Sequence, residues 1–197
     1  MDSIGLCDDY HPTLWRTCRV LANKQRLLCL KTVINTPQRS VGEVAEICSL
    51  PPHKVSMHLR ALQSRGLLHA SRQSRWVRYA PDPDPLVPCA RPILYAMQIA
   101  FATLNENEVL RTLTAFTHPR RLAILYQLQT RPSISEDLLS VVTQISSPAL
   151  WRHLKKLESR NLVAHSEGNW SLHGAPPRLA HTFLTLIALA SLAHRSV

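Results

Sequence analysis

The feature that most constrains this chain is that it repeats itself. Displaced by 95 residues, Leu-Ala-Asn-Lys-Gln-Arg-Leu-Leu-Cys-Leu at 21–30 falls on Phe-Thr-His-Pro-Arg-Arg-Leu-Ala-Ile-Leu at 116–125. Arg26 meets Arg121, Leu27 meets Leu122 and Leu30 meets Leu125. The same register brings His58-Leu59 onto His153-Leu154, Leu62 onto Leu157, Ser64-Arg65 onto Ser159-Arg160 and Leu67 onto Leu162. Across 14–80, about 15 of about 67 positions are identical, where chance supplies about 4 or 5. A chain of 197 residues has room for two such copies, each about 80–100 residues and large enough for its own core. One segment slips. Ser40-x-x-Glu43 and Ser133-x-x-Glu136 both have the form of a capping box, in which the serine takes a helix-start amide and the glutamate reaches back. Their spacing implies a two-residue insertion in the second copy after its third helix.

Each copy reads as the same series of elements. In the first, apolar residues recur at helical spacing over 13–22 and 24–34, and Asn35-Thr36-Pro37 ends the second helix. A short helix follows at 41–48. Pro51-Pro52 breaks the chain and opens a fourth helix that runs to about Arg65, with Gly66 placed to end it. Strands at 67–72 and 75–79 flank a tight Gln73-Ser74 turn. The second copy has helices at 109–116, 120–129, 136–142 and 148–160, the last capped by Ser147 with Pro148 in its first turn. A weaker hairpin, 162–165 and 169–172, surrounds Glu167-Gly168. Three helices, a longer fourth and a hairpin make a winged helix-turn-helix. The fold class is therefore mainly α with small β-hairpin wings, as tandem winged helix-turn-helix domains forming an intramolecular pseudo-dimer. Boundaries fall at 11–82, at a connector and linking helix over 83–104, and at 105–197. The connector, from Pro81 to Pro88, is proline-rich and reads as stiff and extended. Helices at 91–104 and 179–194 are apolar on more than one face and should pack against other helices.

Charge narrows the partner. Formal net charge is +10, and the two halves share it, so a polyanion is the expected partner of both. Five cysteines, Cys7, Cys18, Cys29, Cys48 and Cys89, are odd in number and irregular in spacing. They suggest no disulfide framework and a reducing cytoplasm. The first nine residues, from Met1 to Asp9, carry acids and no long apolar run, unlike a signal peptide. The most apolar stretch, 179–193, is shorter than the roughly 20 residues a membrane span needs, so no membrane partner is expected.

These residues resemble the ArsR-like (arsenical-resistance repressor) superfamily of bacterial regulators. The resemblance rests on the segment at 21–30, Ser-Val-Gly-Glu-Val-Ala at 40–45, Lys-Val-Ser-Met-His-Leu-Arg-Ala-Leu at 54–62, Arg-Gly-Leu-Leu at 65–68 and the wing Arg-Trp-Val-Arg-Tyr at 75–79. It covers 13–80 well. It covers 109–173 more loosely, through His-Pro-Arg-Arg-Leu at 118–122 and Arg-His-Leu-Lys-Lys-Leu at 152–157. Family members usually carry one unit per chain and dimerise through their first and last helices. The resemblance therefore implies a covalent pseudo-dimer, with further homodimerisation left open.

The chemistry would sit on the fourth helix of each copy and on the wings. Val55, Leu59 and Leu62 share the core face of the first such helix, and His53, Ser56, Met57 and Arg60 the opposite one, with Lys54 beside them. That face suits a major groove, where arginine reads guanine. The matching face of the second copy holds Trp151, Arg152, Lys155 and Lys156. Arg72, Arg75 and Arg78 suit phosphate or minor-groove contact by the first wing, and strand alternation should point Trp76 away from Arg75. The second wing offers only His165 and His173 as cations. His58 and His153 read as half-buried, satisfied histidines. Arg26 and Arg121 could serve phosphate contact or a structural ion pair. For metal sensing, Cys48 stands alone on its helix, and His181 and His194 are too far apart with no acid between them, so no metal or other cofactor is expected. A thiol switch through Cys7, Cys18 or Cys48 is weaker than a reading of the cysteines as buried small hydrophobes. No glycine-rich phosphate loop, carboxylate pair or nucleophile motif points to an enzyme. The expected function is a sequence-specific regulator that binds double-stranded DNA. The alternative is a degenerate winged-helix adaptor for protein, suggested by Trp151 and the poor second wing.

Overall fold

The structure, a computed structural model, describes residues 14–193. Met1 to Asp9, Cys7, Thr13 and His194 lie outside the described residues. The chain is mainly helical with short antiparallel hairpins, as expected. A first set of elements comprises α1 (Leu14–Leu21), α2 (Lys24–Asn35), β1 (Arg39–Ser40), α3 (Val41–Cys48), α4 (Pro52–Gln63), β2 (His69–Gln73) and β3 (Trp76–Ala80). After α5 (Ala90–Thr103), the order recurs as α6 (Glu106–Ala115), α7 (Pro119–Thr130), β4 (Ile134–Ser135), α8 (Glu136–Thr143), α9 (Ser147–Glu158), β5 (Val163–Ser166) and β6 (Asn169–Leu172). Helix α10 (Arg178–Ala193) closes the described chain. The sheets run β1-β3-β2 and β4-β6-β5. Strands β1 and β4 were not foreseen, because two residues are too few to show alternation.

The helix starts explain the local structure and correct the reading of the repeat. Asn23 caps α2, its side chain accepting from the Arg26 amide at 3.0 Å. Ser40 and Glu43 form the expected capping box on α3. On α8 the cap is Ser135, which accepts from the Leu138 amide, while Glu136 is the first helical residue and cannot reach back. Ser133 plays no such part. Ser135 is fixed there because it also pairs with Asn169 of β6, as Ser40 pairs with Arg78 of β3. The two caps are 95 apart, as are His58 and His153 of the fourth helices, so the second copy carries no insertion after its third helix. The length change lies in the hairpin. Tyr79 pairs with Arg39, and Trp170 with Ile134, 91 residues further on for the hairpin and 95 for its partner. The second hairpin is shorter by that difference of four. Ser147 likewise is the first residue of α9 rather than its cap; Ser146 precedes it without a side-chain bond. Helix α6 starts three residues earlier than expected because Asn105 and Glu108 make a capping box. In the first hairpin Gln73 pairs with Trp76, so the turn is Ser74-Arg75, one residue later than read, with Ser74 at φ 55°. Leu67 lies before the strand because its amide returns to the Leu62 carbonyl and finishes the end of α4.

The buried side chains form one continuous core. Leu30, Leu59 and Leu62 fill it beneath the first hairpin; Leu125, Leu154, Leu157 and Trp170 fill it beneath the second. Helix α1 packs on α6, and α10 packs on α5, α6 and α7, where the Phe116 and Phe183 rings meet at 4.9 Å. Among the described residues, no helix is long and apolar enough to cross a membrane. The connector is not simply extended. Asp84 donates its amide to the Gly66 carbonyl at 2.9 Å, and its side chain and carbonyl accept from Leu86 and Val87 to form a turn. Gly66 stands at φ +68°, and a Cβ there would meet Val87 Cγ2 at 2.9 Å. Gly66→Ala combines a left-handed backbone with a clash against the connector, and is expected to lower stability by about 1–3 kcal/mol, read as a shift in the urea midpoint.

Candidate nucleic-acid interface

Helix α4 separates its faces as its periodicity requires. Val55, Leu59 and Leu62 are buried, while His53, Lys54, Met57 and Arg60 are exposed and Ser56 is partly so. Arg60 forms no ion pair among the described residues. On the hairpin beside it, Arg72 donates to the Ser74 carbonyl at 3.3 Å. The Arg75 guanidinium lies 5.2 Å from the centroid of the Trp76 ring, which is 50% exposed. Alternation does not separate the two, because Arg75 is a turn residue and folds back over its neighbour. Arg78 is engaged within the protein. It donates to the Gln38 carbonyl at 2.7 Å and pairs with Glu43 at 3.3 Å, while Arg39 holds the other oxygen of Glu43 at 2.8 Å. The Ser40 amide and hydroxyl, then Arg39 and Arg78, hold the Glu43 carboxyl down to about 2. Arg78 thus ties β3 to the start of α3, leaving Arg72 and Arg75 as the wing's outward cations.

The second set presents a different surface. On α9, Ala149, Leu150, Leu154 and Leu157 are buried, and Trp151, Arg152 and Lys156 are exposed. Lys155 turns inward. Its Nζ pairs with Glu158 at 2.8 Å and lies 5.5 Å from the Trp170 centroid and 6.0 Å from that of Trp151. Trp170, in turn, stacks with His165 at 4.6 Å. The sequence reading missed Trp170, whose only signal was its place in a weak strand. The hairpin turns at Glu167 and Gly168, both at positive φ, and it carries no arginine. On α8, Leu138 and Val141 are exposed where α3 has Glu43 and Glu46.

The arginines that open α2 and α7 form no ion pair among the described residues and bond to backbone carbonyls instead. Arg26 donates to the Val20 carbonyl at 2.6 Å. Arg121 donates from Nε to the Ala115 carbonyl at 2.6 Å, and from Nη2 to the Thr114 carbonyl and the Thr117 hydroxyl. Each satisfies carbonyls at the C-terminal, negative end of the preceding helix and so fixes one helix on the next. The histidines lie close by. His58 is buried, with Nε2 3.4 Å from the Gln25 side-chain oxygen and Nδ1 without a protein partner, so it is satisfied only in part. Burial, then Arg26 and Lys54, lower its pKa. His118 caps α7 by accepting the Arg120 amide at 3.1 Å, and its ring meets that of His153 at 4.7 Å. Burial, then His118 and the surrounding arginines, push His153 down to about 4.

Comparison with known families agrees with this geometry in one segment. Residues 118–164 match the model for winged helix-turn-helix DNA-binding domains. The match runs from the cap of α7 through α8 and α9 into β5. It falls on the copy whose fit to the ArsR-like pattern is the looser one. No curated protein matches the chain.

Within this winged-helix frame the cysteines are core residues. Cys18, Cys29, Cys48 and Cys89 are free thiols and buried. Cys48 is not isolated in space. It lies 3.3 Å from the Thr32 hydroxyl, and beside Cys29, whose thiol burial and Cys48 push up to about 12. The approach of α2 to α3 creates that neighbourhood, which spacing along the chain cannot show. Among the described residues, no three His, Cys, Asp or Glu side chains are grouped so that they could hold a metal ion.

Two outcomes follow. Arg121→Ala takes the guanidinium from the Ala115 carbonyl and from the Thr114 carbonyl, which keeps the Thr117 hydroxyl, and is expected to cost about 2 kcal/mol or more, read as a lower urea midpoint. His153 binds its proton less readily folded, at about 4, than unfolded, near the usual 6.5. Its stabilising contribution is complete above about pH 6.5 and is lost as pH falls toward 4. Unfolding midpoints should fall across that window, and His153→Gln should flatten the fall.

Proposed function

We propose that this chain is a sequence-specific, DNA-binding transcription regulator of the ArsR-like type. Two winged helix-turn-helix units, over 11–82 and 105–197, form a pseudo-dimer within one chain. It works without a metal effector, in a reducing cytoplasm. The observation that carries this reading is the exposed, basic outer face of α4 and of α9, each mounted at the same place in a three-helix and hairpin frame. The family match over 118–164 supports duplex DNA as the ligand. Arg60 and Ser56 are placed to read base edges, and Arg72 and Arg75 to hold the backbone beside them. Arg78 and Lys155, each paired with an acid, contribute less than the sequence reading assigned to them.

A second reading, a protein-binding adaptor, draws on Leu138, Val141 and Trp151, which expose apolar surface on α8 and α9. Footprinting with the purified chain separates the two. A regulator protects one or two grooves about 34 Å apart along a preferred duplex, with affinity falling steeply as salt rises. Arg60→Ala should cost about 1–3 kcal/mol and relax preference at one base position, whereas Arg75→Ala should weaken all duplexes alike. Weak binding that is flat with salt on every duplex would sink the DNA-binding reading.

A further inference from the structure

We propose that, in the winged helix matched over 118–164, the outer face of α9 is continued by cations of two other helices into a phosphate clamp for the DNA backbone. Arg120 of α7, Arg152 and Lys156 of α9 and Arg19 of α1 form it around the adjoining, tilted rings of His118 and His153. This rests on the DNA-binding reading above and extends it to residues off the wing and to a cation from the first set of elements.

Among the described residues, no acid pairs with the cluster. The three ion pairs among the described residues join Arg39 and Arg78 to Glu43, and Lys155 to Glu158. None involves the four cations named. Arg19, Arg120, Arg152 and Lys156 are exposed, and the Arg152 Nε donates to the Pro148 carbonyl at 3.3 Å. Every charged group that acts on the two imidazoles is a cation: Arg121, Arg120 and Arg19 on His118, and Arg121, Arg120 and Arg152 on His153. Arg121 is occupied by helix-end carbonyls. Like charges gathered in this way repel one another and weaken the folded state.

The fold does not need them. At the matching positions 95 residues earlier stand Gln25, Met57 and Ala61 in place of Arg120, Arg152 and Lys156, and the same helices form around them. The neighbouring pattern is kept, with His58 for His153 and Asn23 for His118 in the cap. Cations that the frame can do without, and that no acid offsets, suit a polyanion. Arg152 and Lys156 lie one turn apart on one flank of α9, with Arg120 and Arg19 supplied by two further helices. Such a spread fits a line of phosphates better than one carboxylate, and arginine forks are suited to phosphate oxygens. Because Arg19 belongs to α1, a backbone held here would engage both sets of elements at once.

The test uses the full chain and replaces each cation by the residue at the matching position: Arg120→Gln, Arg152→Met and Lys156→Ala, singly and together, with Arg19→Ala alongside. Affinity is measured against salt on the preferred duplex and on a scrambled one. Each contact removed should lower the slope of log K against log salt by about 1 and weaken both duplexes alike. Urea midpoints should hold or rise as repulsion is relieved, and the exposed single variants Arg120→Gln and Lys156→Ala carry the test if the triple variant fails to fold. An unchanged slope, or a loss confined to the preferred duplex, overturns the clamp while leaving the DNA-binding reading intact. A wild-type chain that binds no duplex overturns both.

Discussion

The structure depends on a strand of two residues that ends in a capping serine. Ser40 and Ser135 each pair with the last strand of a hairpin and each cap the helix that follows. One residue therefore fixes both the hydrogen-bonding edge of the wing and the start of the third helix. The third helix then turns through a left-handed residue, Ser49 or Gln144, into the fourth. The hairpin and the exposed face of the fourth helix are thus joined through one hydrogen-bonded arrangement. This is why a hairpin can lose four residues and leave the helices in the same register. The loss is taken up at the tip of the hairpin, past the pairs that Arg78 and Asn169 make with the capping serines.

Charge is distributed over this shared frame in two different ways. In the first set, Glu43 gathers Arg39 and Arg78 and fastens the hairpin to α3, and the free arginines are at the tip of the wing and on α4. In the second, Leu138 stands at the matching place, the hairpin has no arginine, and Lys155 lies beside Trp151 and Trp170 and pairs with Glu158. The free cations shift to the flank of α9 and the start of α7. Two surfaces of similar shape and different charge layout suit a site whose halves are not identical.

Much of this was legible along the chain. Helix starts at Lys24, Val41 and Pro52, the left-handed Gly66 and the Glu167-Gly168 turn follow from local rules, because capping, proline placement and positive φ act within a few residues. The errors were also local rules applied without their context. Ser133-x-x-Glu136 has the form of a capping box, but the pairing of β4 with β6 moved the cap to Ser135. Arg75 reads as a strand residue, but the register of β2 on β3 placed it in the turn, over Trp76.

The sequence by itself determined the element order, its recurrence 95 residues on and the apolar face of α4 and of α9, because periodicity and register are properties of neighbours along the chain. Only the tertiary structure decided which basic side chains are free. Arg26 and Arg121 were drawn to the carbonyl ends of preceding helices, Arg78 to Glu43 and Lys155 to the tryptophans, while Arg19 and Arg120 were left beside two histidines with no ion pair among the described residues. Whether a charge is neutralised depends on what the fold places within a few ångströms of it, and those neighbours are drawn from elements far apart in the chain.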